Sequence, residues 1–169
     1  MRKMLFDVDN EIPVEGDKII CLRNSWGTIT EAGDVLVNGT IGTISNIKYN
    51  HHHPFLHPQM TANFLPDDCI EDVDYCPQDM YFRNLSIDYK LLTTGEETVT
   101  AKNFKHFPKQ FRPLIFDYGY CITCHKSQGS EYDKVLVFEE FLKGGEHDRW
   151  LYTAATRAKE KLVIVRNFR

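Results

Sequence analysis

Two short apolar runs near the C-terminus limit the possible folds of this chain more than any other feature. The runs are Val135–Phe138 and Leu162–Val165, and unbroken runs of this kind are typical of strands that a parallel sheet buries on both faces. Residues from about 147 to 158 lie between them and have helical periodicity. Their apolar stripe consists of Leu151, Ala154, Ala155 and Ala158. This order predicts a strand, a helix and a second strand, the repeating unit of an α/β fold.

Two further strands are predicted outside this unit. Residues 116–122 alternate aromatic or apolar side chains with small or polar ones, which is the pattern of a strand. The sequence GDKIICL at 16–22 is another strand candidate. The connection from residue 122 to residue 135 has about the minimum length of a βαβ crossover. We therefore expect the segment after residue 122 to leave the carboxyl end of a strand and then to start a helix.

The middle of the chain has a different pattern. Residues 35–47 contain Asn38-Gly39 between apolar runs, which is the pattern of a β-hairpin. Further short strands are predicted at Tyr81–Arg83, Leu85–Leu92 and Thr98–Ala101. Residues 51–79 are rich in proline, histidine and aspartate and predict a long irregular loop. The middle therefore predicts a small all-β barrel inserted into the α/β unit.

Composition bounds the class of protein. Of the 169 residues, 42% are hydrophobic and 26% are charged, as in ordinary soluble domains. No apolar run approaches the roughly 18 residues of a membrane span, and the basic start Met1-Arg2-Lys3 lacks the apolar run of a secretory signal. The five cysteines, an odd number, argue against a closed disulfide framework. These observations predict a cytoplasmic protein of one domain, or of one domain with a small insertion.

Two groups of residues could be metal ligands. Cys121 and Cys124 form a C-x-x-C pair, but residues three apart on a strand point to opposite faces, and the chain has no second C-x-x-C. Cys69 and Cys76 lie near four histidines, which could build a zinc site at unusual spacing. A solvated, histidine-rich loop explains the same residues. We therefore predict no metal site. The four histidines are His51, His52, His53 and His57.

The charge is unevenly distributed along the chain. The net charge of −4 gives no sign of nucleic-acid binding, yet residues 101–112 carry four bases and no acid, interleaved with three phenylalanines. Residues 67–79 carry six acids and no base. A local basic and aromatic surface can follow a nucleic-acid backbone. A basic solvated edge of a β-domain is an equally good interpretation of the same residues.

The segment from Thr123 to Glu131 is rich in polar side chains. If it follows the carboxyl end of a strand, it lies where open α/β sheets bind ligands. Its hydroxyls, imidazole and amide, with a glycine that permits close approach, suit contacts to phosphate or ribose. A nucleophile pair of Ser127 or Cys124 with His125 is the competing interpretation. Neighbours on a turn seldom point at each other, and no G-x-S-x-G motif surrounds Ser127, so this pair is disfavoured.

Arg157 is the second candidate. It lies in the last turn of the predicted helix and precedes the last predicted strand. A guanidinium is permanently charged and bidentate, as contact with a γ-phosphate requires. The structural alternative is a surface arginine paired with Asp148 or Glu160.

Taken together, these segments resemble a known family. Two sequence motifs carry the resemblance, T-x-H-K-S-Q-G-S-E at 123–131 and Y-T-A-x-T-R-A-K at 152–159. In this order they are similar to the last two motifs of superfamily 1 helicases, most closely the RecD-like and Dda-like branch. GDKIICLRN and V-x-N-G-T-I-G resemble the same branch. The resemblance is strong over residues 16–47 and 113–166. It implies a RecA-like second motor domain (1–37 and 113–169) with an SH3-like barrel inserted at 38–112, including an irregular loop near 48–79.

The resemblance also implies residue roles. Arg157 would be catalytic, reaching the γ-phosphate of ATP, and Gly129 and Glu131 would border the nucleotide. Tyr152 and Thr156 would support the arginine helix. The residues expected at the single-stranded DNA, or coupling it to the nucleotide, are Thr123, His125, Lys126, Ser127 and Gln128. Translocation would run 5′→3′, and the inserted barrel would guide the strand.

One family element is missing from the sequence. No lysine follows a glycine, so the phosphate-binding loop that ends in Gly-Lys-Ser/Thr is absent. The resemblance then implies that ATP and Mg²⁺ are held mainly by an N-terminal helicase domain, in cis or in trans. We expect a helicase motor domain that is inactive alone. The alternative is a stand-alone nucleic-acid or protein binding module on the same scaffold, favoured if no neighbouring segment or reading frame supplies that loop.

Overall fold

The computed structural model describes residues 12–50, 59–67, 78–99, 112–140, 142 and 145–166. The chain divides into two compact units, Met1–Tyr120 and Cys121–Arg169. The first unit contains an antiparallel sheet and the second a parallel one, so the chain belongs to the mixed α/β class. No helix in the described part is long and apolar enough to cross a membrane.

A five-stranded antiparallel sheet organises the first unit, in the spatial order β6-β5-β4-β1-β7. Its strands are β1 (Lys18–Cys21), β4 (Ile41–Asn50), β5 (Gln59–Pro66), β6 (Phe82–Ile87) and β7 (Phe116–Tyr118). Their buried residues form a single core in which the ring of Phe64 lies 5.2 Å from that of Phe116 and 6.2 Å from that of Phe82. Packing of these three rings joins β5, β6 and β7, although they are distant in sequence.

The predicted strand at 16–22 is confirmed, but the predicted hairpin at 35–47 is wrong. Strand β3 (Val35–Leu36) pairs with β2 (Ser25–Ile29) as a separate ribbon, whereas β4 pairs with β1 and β5. Gly39 has a left-handed backbone (φ 93°), and its N–H donates to the carbonyl of Cys21 at 2.8 Å. This turn directs the chain from one sheet into another, so the Asn-Gly turn does not fold β3 back onto β4.

Part of the predicted irregular loop at 51–79 is also a strand. Within β5, the alternate residues Met60, Ala62 and Phe64 are buried, which gives this segment the period-2 burial of a half-covered strand. The loop prediction is therefore wrong for residues 59–66. Residues 51–58 and 68–77 lie outside the described residues, as do most of the basic segment 101–112 and the cysteines and histidines considered as zinc ligands.

The predicted strand Leu85–Leu92 ends at Ile87. It is followed by helix α1 (Tyr89–Thr94), which Gly95 terminates in a left-handed conformation while donating its N–H to the carbonyl of Leu91. Tertiary packing decides this change, because the helix buries Leu92 in the core. Thr98 and Val99 form a bend, so the described part of the predicted strand Thr98–Ala101 is not a strand.

The sheet contains strands from both predicted domains. Strands β1 and β7 were expected in the motor domain, and β4, β5 and β6 in the insert at 38–112, yet all five share one sheet. The connecting pairs are Ile19 with Gly42 and Ile19 with Tyr118. Residues 1–120 form one compact unit, and the division into a motor domain at 1–37 and 113–169 with an insert at 38–112 stays a prediction.

The second unit is a βαβ unit, which confirms the first sequence prediction. Strand β8 (Tyr132–Phe138) pairs in parallel with β9 (Ala158–Val165), and helix α2 (Glu146–Ala155) connects them and packs on both. Ala154 is buried, as the predicted apolar stripe requires. Ala158 was expected in the helix but begins β9, since the chain must reverse direction after Ala155 to pair with β8.

Burial on both faces of β8 and β9 was predicted and is wrong for the described residues. Paired residues of parallel strands share a face, and Leu136 and Phe138 lie beside Val163 and Val165 on one face. Leu136 and Phe138 are 53% and 61% exposed. Val137, one position along the strand, is buried. The apolar runs therefore mark strands correctly but do not report how many faces of the sheet are covered.

Candidate functional site

The two predicted motifs meet at one end of the parallel sheet. Tyr132, the first residue of β8, pairs with Ala158, the first residue of β9. Its N–H donates to the carbonyl of Arg157 at 2.8 Å. Because parallel strands start at the same edge, the segment 123–131 and Arg157 become neighbours. The segment lies at the amino end of β8, and the preceding strand β7 ends at Tyr118.

Arg157 is held by three hydrogen bonds to uncharged acceptors. Its Nε donates to the carbonyl of Thr153 at 3.0 Å, and one terminal nitrogen donates to the hydroxyl of Thr156 at 3.1 Å. The other terminal nitrogen donates to the carbonyl of Ser130 at 3.1 Å. The guanidinium therefore bridges the end of α2 and the loop before β8, which fixes its position without neutralising its charge.

The structural alternative for Arg157 is not observed. Within the part of the chain that the structure describes, Arg157 forms no ion pair, and neither Asp148 nor Glu160 contacts it. Its charge acts on Cys124, where burial raises the thiol pKa while the nearby guanidinium works in the opposite direction. The Sγ of Cys124 donates to the carbonyl of Trp150 at 3.5 Å. Among the described residues, Arg157 therefore has no carboxylate partner, and Cys124 is a half-buried thiol.

The loop before β8 is built from consecutive turns. The amides of Lys126 and Ser127 donate to the carbonyl of Thr123, that of Gln128 to His125, and that of Ser130 to Ser127. The predicted helix after residue 122 is therefore wrong over the described residues before β8. The physical reason is that Gly129 adopts a left-handed backbone (φ 92°) and ends the turns. The backbone amides of these four residues are consequently occupied inside the loop.

Ser127 occupies the centre of these turns. It is buried, and its hydroxyl donates to the carbonyl of Cys124 at 2.7 Å. This geometry removes the disfavoured pairing of Ser127 with His125 as nucleophile and base, because the hydroxyl points into the loop. It also places Ser127 as a residue that shapes the loop, while the other predicted nucleic-acid residues are exposed. The exposed residues are Thr123, His125, Lys126 and Gln128.

The remaining predicted residues are also accessible. Gly129 and Glu131 are exposed on the same loop as Ser130, whose carbonyl contacts Arg157. Thr156 contacts Arg157 directly and donates its hydroxyl to the carbonyl of Thr153 at 3.1 Å, which agrees with a supporting position. The side chain of Tyr152 is 72% exposed.

A cleft beside the loop was not identified from the sequence. It has a volume of about 260 Å³ and lies between the loop and the face of α2 that carries Trp150. Trp150 does not belong to the apolar stripe of Leu151, Ala154 and Ala155, and together with Thr153 it lines the cleft. Only the folded loop shows that these two residues form part of the wall of a cavity. The lining residues are Cys124, His125, Gln128, Leu142, Glu146, Arg149, Trp150 and Thr153.

The residues present fit part of a nucleotide site. Arg157 is a fixed guanidinium, a group that can contact a phosphate, and exposed Gly129 and Glu131 lie on the adjoining loop. The described residues contain no group of three acids, histidines or cysteines that could hold a metal ion. Cys121 and Cys124 are free thiols, and Cys121 lies in a bend where a strand was predicted.

Comparison with known proteins agrees with these motifs. Residues 118–165 match the family model of the UvrD-like helicase C-terminal domain, which supports a helicase motor-domain role for this part of the chain. The matched segment is less than a third of the sequence and contains both the loop and Arg157. No curated protein matches the sequence.

One of the solved structures that align with this chain is the Pif1 helicase from Candida albicans. It is 16% identical to this chain and aligns with a TM-score of 0.48. The alignment covers 99% of this chain and 36% of that helicase. The chain therefore spans about a third of the length of this structural neighbour.

Proposed function

We propose that this chain forms the C-terminal motor domain of an ATP-dependent DNA helicase or translocase and supplies its arginine finger. The observation that carries the proposal is the position of Arg157. Its guanidinium bridges the two family motifs, at 3.1 Å from the carbonyl of Ser130, and has no carboxylate partner among the described residues. A fixed, uncompensated cation next to an exposed loop is what stabilisation of a γ-phosphate requires.

ATP and Mg²⁺ would be held mainly by an N-terminal motor domain, because the sequence has no Gly-Lys-Ser/Thr loop. When bound, they would supply the phosphoryl-transfer chemistry. The role of this chain would be to place Arg157 at the terminal phosphate, with Gly129 and Glu131 at the border of the nucleotide. An arginine finger alone has no transition state to stabilise, so this chain alone should have negligible ATPase activity.

Single-stranded DNA would contact the exposed side of the same loop. Thr123, His125, Lys126 and Gln128 offer a hydroxyl, an imidazole, an ammonium and an amide to the phosphate backbone. Buried Ser127 would act indirectly by holding the turns. The hydrogen bond from Arg157 to Ser130 joins the nucleotide side of the loop to the DNA side, so movement of the guanidinium during hydrolysis would be transmitted to the strand. We propose 5′→3′ translocation on the resemblance to the RecD-like and Dda-like branch.

The decisive experiment measures ATPase activity of this chain combined with the P-loop domain that the same or the neighbouring reading frame encodes. Arg157→Ala should lower the single-strand-stimulated turnover about 10³-fold or more, as for other arginine fingers. Arg157→Lys should also be strongly impaired, because an ammonium cannot reproduce the bidentate contact.

Lys159→Ala is the matched control, since Lys159 is an exposed cation two residues away. Its turnover should equal that of the wild type. Unchanged turnover in Arg157→Ala would exclude Arg157 from the mechanism, and magnesium-dependent turnover by the purified chain alone would show that it is not a partial motor.

A further inference from the structure

An exposed tryptophan projects from the β2–β3 ribbon of the first unit. The two strands pair only at Ser25 with Leu36 and at Ile29 with Val35. Between these pairs β2 has three residues, Trp26 to Thr28, and β3 has none. The ribbon therefore carries a large bulge, and bulges of this kind redirect side chains away from a sheet.

The bulge is closed at its base. The hydroxyl groups of Ser25 and Thr28 are hydrogen-bonded at 2.7 Å, so the segment that carries Trp26 is a small ring and not an open loop. Trp26 itself is 70% exposed, and the position of a Cβ on Gly27 has no atom within 4 Å. The indole is thus held away from the body of the unit on a constrained support.

The rest of the ribbon is anchored. Leu36 is fully buried in the core, and the amide of Asn38 donates to the side-chain oxygen of Asn24 at 2.8 Å. At the other end, the amide of Thr30 donates a hydrogen bond to the carbonyl of Asp34. The amide of Asp34 donates one to the Thr30 hydroxyl, and both bonds are 2.9 Å long. Because both ends are fixed, binding through Trp26 would cost little ordering of the backbone.

We infer that Trp26 is a stacking site for an unpaired nucleobase of a single strand. An indole face is large, planar and sequence-tolerant as a partner for a base. The closest basic group in sequence, Arg23, is paired with Glu97 at 2.8 Å, so stacking is the contact that Trp26 itself offers. The bulge presents one aromatic ring, which suits a single base better than the broad apolar area of a stable protein interface. The inference rests on the proposed function only in taking a single strand as the ligand.

The test measures affinity of the full chain for a dye-labelled oligothymidylate by fluorescence anisotropy at low salt. Trp26→Ala should weaken binding at least about fivefold, the lower end for loss of one base–aromatic stack. Trp26→Phe should keep most of the affinity because it retains an aromatic face. An abasic oligomer of equal length keeps every phosphate, and the wild type should bind it as weakly as Trp26→Ala binds the normal strand.

Ile29→Ala is the matched control. Ile29 lies on the same strand and is 57% exposed, but it has no aromatic face, so its substitution should leave binding unchanged. Equal losses for Ile29→Ala and Trp26→Ala would indicate a general apolar surface and overturn the inference. So would equal binding of normal and abasic strands.

Intrinsic fluorescence gives a direct readout, since the chain has two tryptophans. In Trp150→Phe the only indole is Trp26, and the normal strand should quench its emission while the abasic strand should not. Wild-type binding with no effect of Trp26→Ala would overturn this inference and leave the motor proposal intact. Absence of any binding by the wild type at low salt would overturn both the inference and the strand contacts of the proposed function. Loss of the Arg157 effect on ATPase would overturn the motor proposal alone.

Discussion

Replacing Gly42 with alanine should destabilise the antiparallel sheet strongly. Gly42 lies on β4 opposite β5, and a Cβ built on it would be 2.2 Å from the carbonyl oxygen of Leu65 and 2.8 Å from the ring of Phe64. Cβ contacts below 3.0 Å are essentially never observed. The obstacle is therefore the neighbouring backbone and not the conformation of Gly42, which is absent from the glycines with a left-handed φ.

The size of the effect follows from the displacement required. Moving the contact from 2.2 Å to 3.0 Å separates the strands by a large fraction of an ångström, and ladder hydrogen bonds of normal length would be lost or badly stretched. Two weakened bonds cost about 1–3 kcal/mol together, and shifting a packed ring costs about 1–3 kcal/mol more. The total of about 2–6 kcal/mol should lower Tm by roughly 4–24 °C for a chain of this length.

Thermal unfolding followed by circular dichroism measures this effect. Gly27→Ala is the matched control, because a Cβ there meets nothing within 4 Å, and surface changes of this kind alter stability by about 0.5 kcal/mol or less. If Gly42→Ala melted within a degree or two of the control, the pairing of β4 with β5 described above would be incorrect.

Two further substitutions test polar contacts, one in each unit. Thr98→Val removes the hydroxyl that donates to buried Asp88 at 2.7 Å, and a lost hydrogen bond to a charged group should cost about 1.5–3 kcal/mol in a denaturant titration. Glu139→Ala removes the carboxylate that lies 3.0 Å from both His147 and Arg166. Because this half-buried group joins α2 to the ends of β8 and β9, its loss should cost about 1–3 kcal/mol by the same assay.

Neighbouring exposed residues provide the controls for these two changes. Thr94→Val removes a hydroxyl that bonds to a carbonyl of its own helix, and Glu140→Ala removes an exposed carboxylate next to Glu139. Both should alter stability by about 0.5 kcal/mol or less. A Thr98→Val or Glu139→Ala variant as stable as its control would show that the contact does not contribute to folding.

Local patterns predicted the second unit well. The apolar runs and the alanine-containing stripe identified β8, α2 and β9 because strand and helix periodicities are properties of consecutive residues. The same order of elements placed the end of α2 beside the start of β8, so Arg157 and the loop at 123–131 could be brought together without knowledge of other contacts. The details of the loop could not be predicted, because the burial of Ser127 and the use of four amides depend on how the turns close.

The first unit shows what sequence patterns leave open. Strand β5 was not predicted, because it lies in a segment whose composition indicated a loop. The Asn38-Gly39 turn predicted a hairpin that does not form. Strand partners are chosen by which edges and apolar faces meet in space, and neither property is encoded in adjacent residues. For the same reason, the exposed position of Trp26 became visible only when the pairing of β2 with β3 left three residues unpaired.

The sequence by itself determined the βαβ unit, the absence of a Gly-Lys-Ser/Thr loop and the choice of Arg157 as the candidate phosphate contact. Each of these depends on residue identity and on spacing over a short stretch of chain. Only the tertiary structure decided that β1 and β7 join β4 in one sheet, that one face of β8 and β9 stays exposed, and that the described partners of Arg157 are two carbonyls and a hydroxyl and not a carboxylate. These features depend on contacts between residues far apart in sequence, where many pairings satisfy the same local pattern and packing selects one of them.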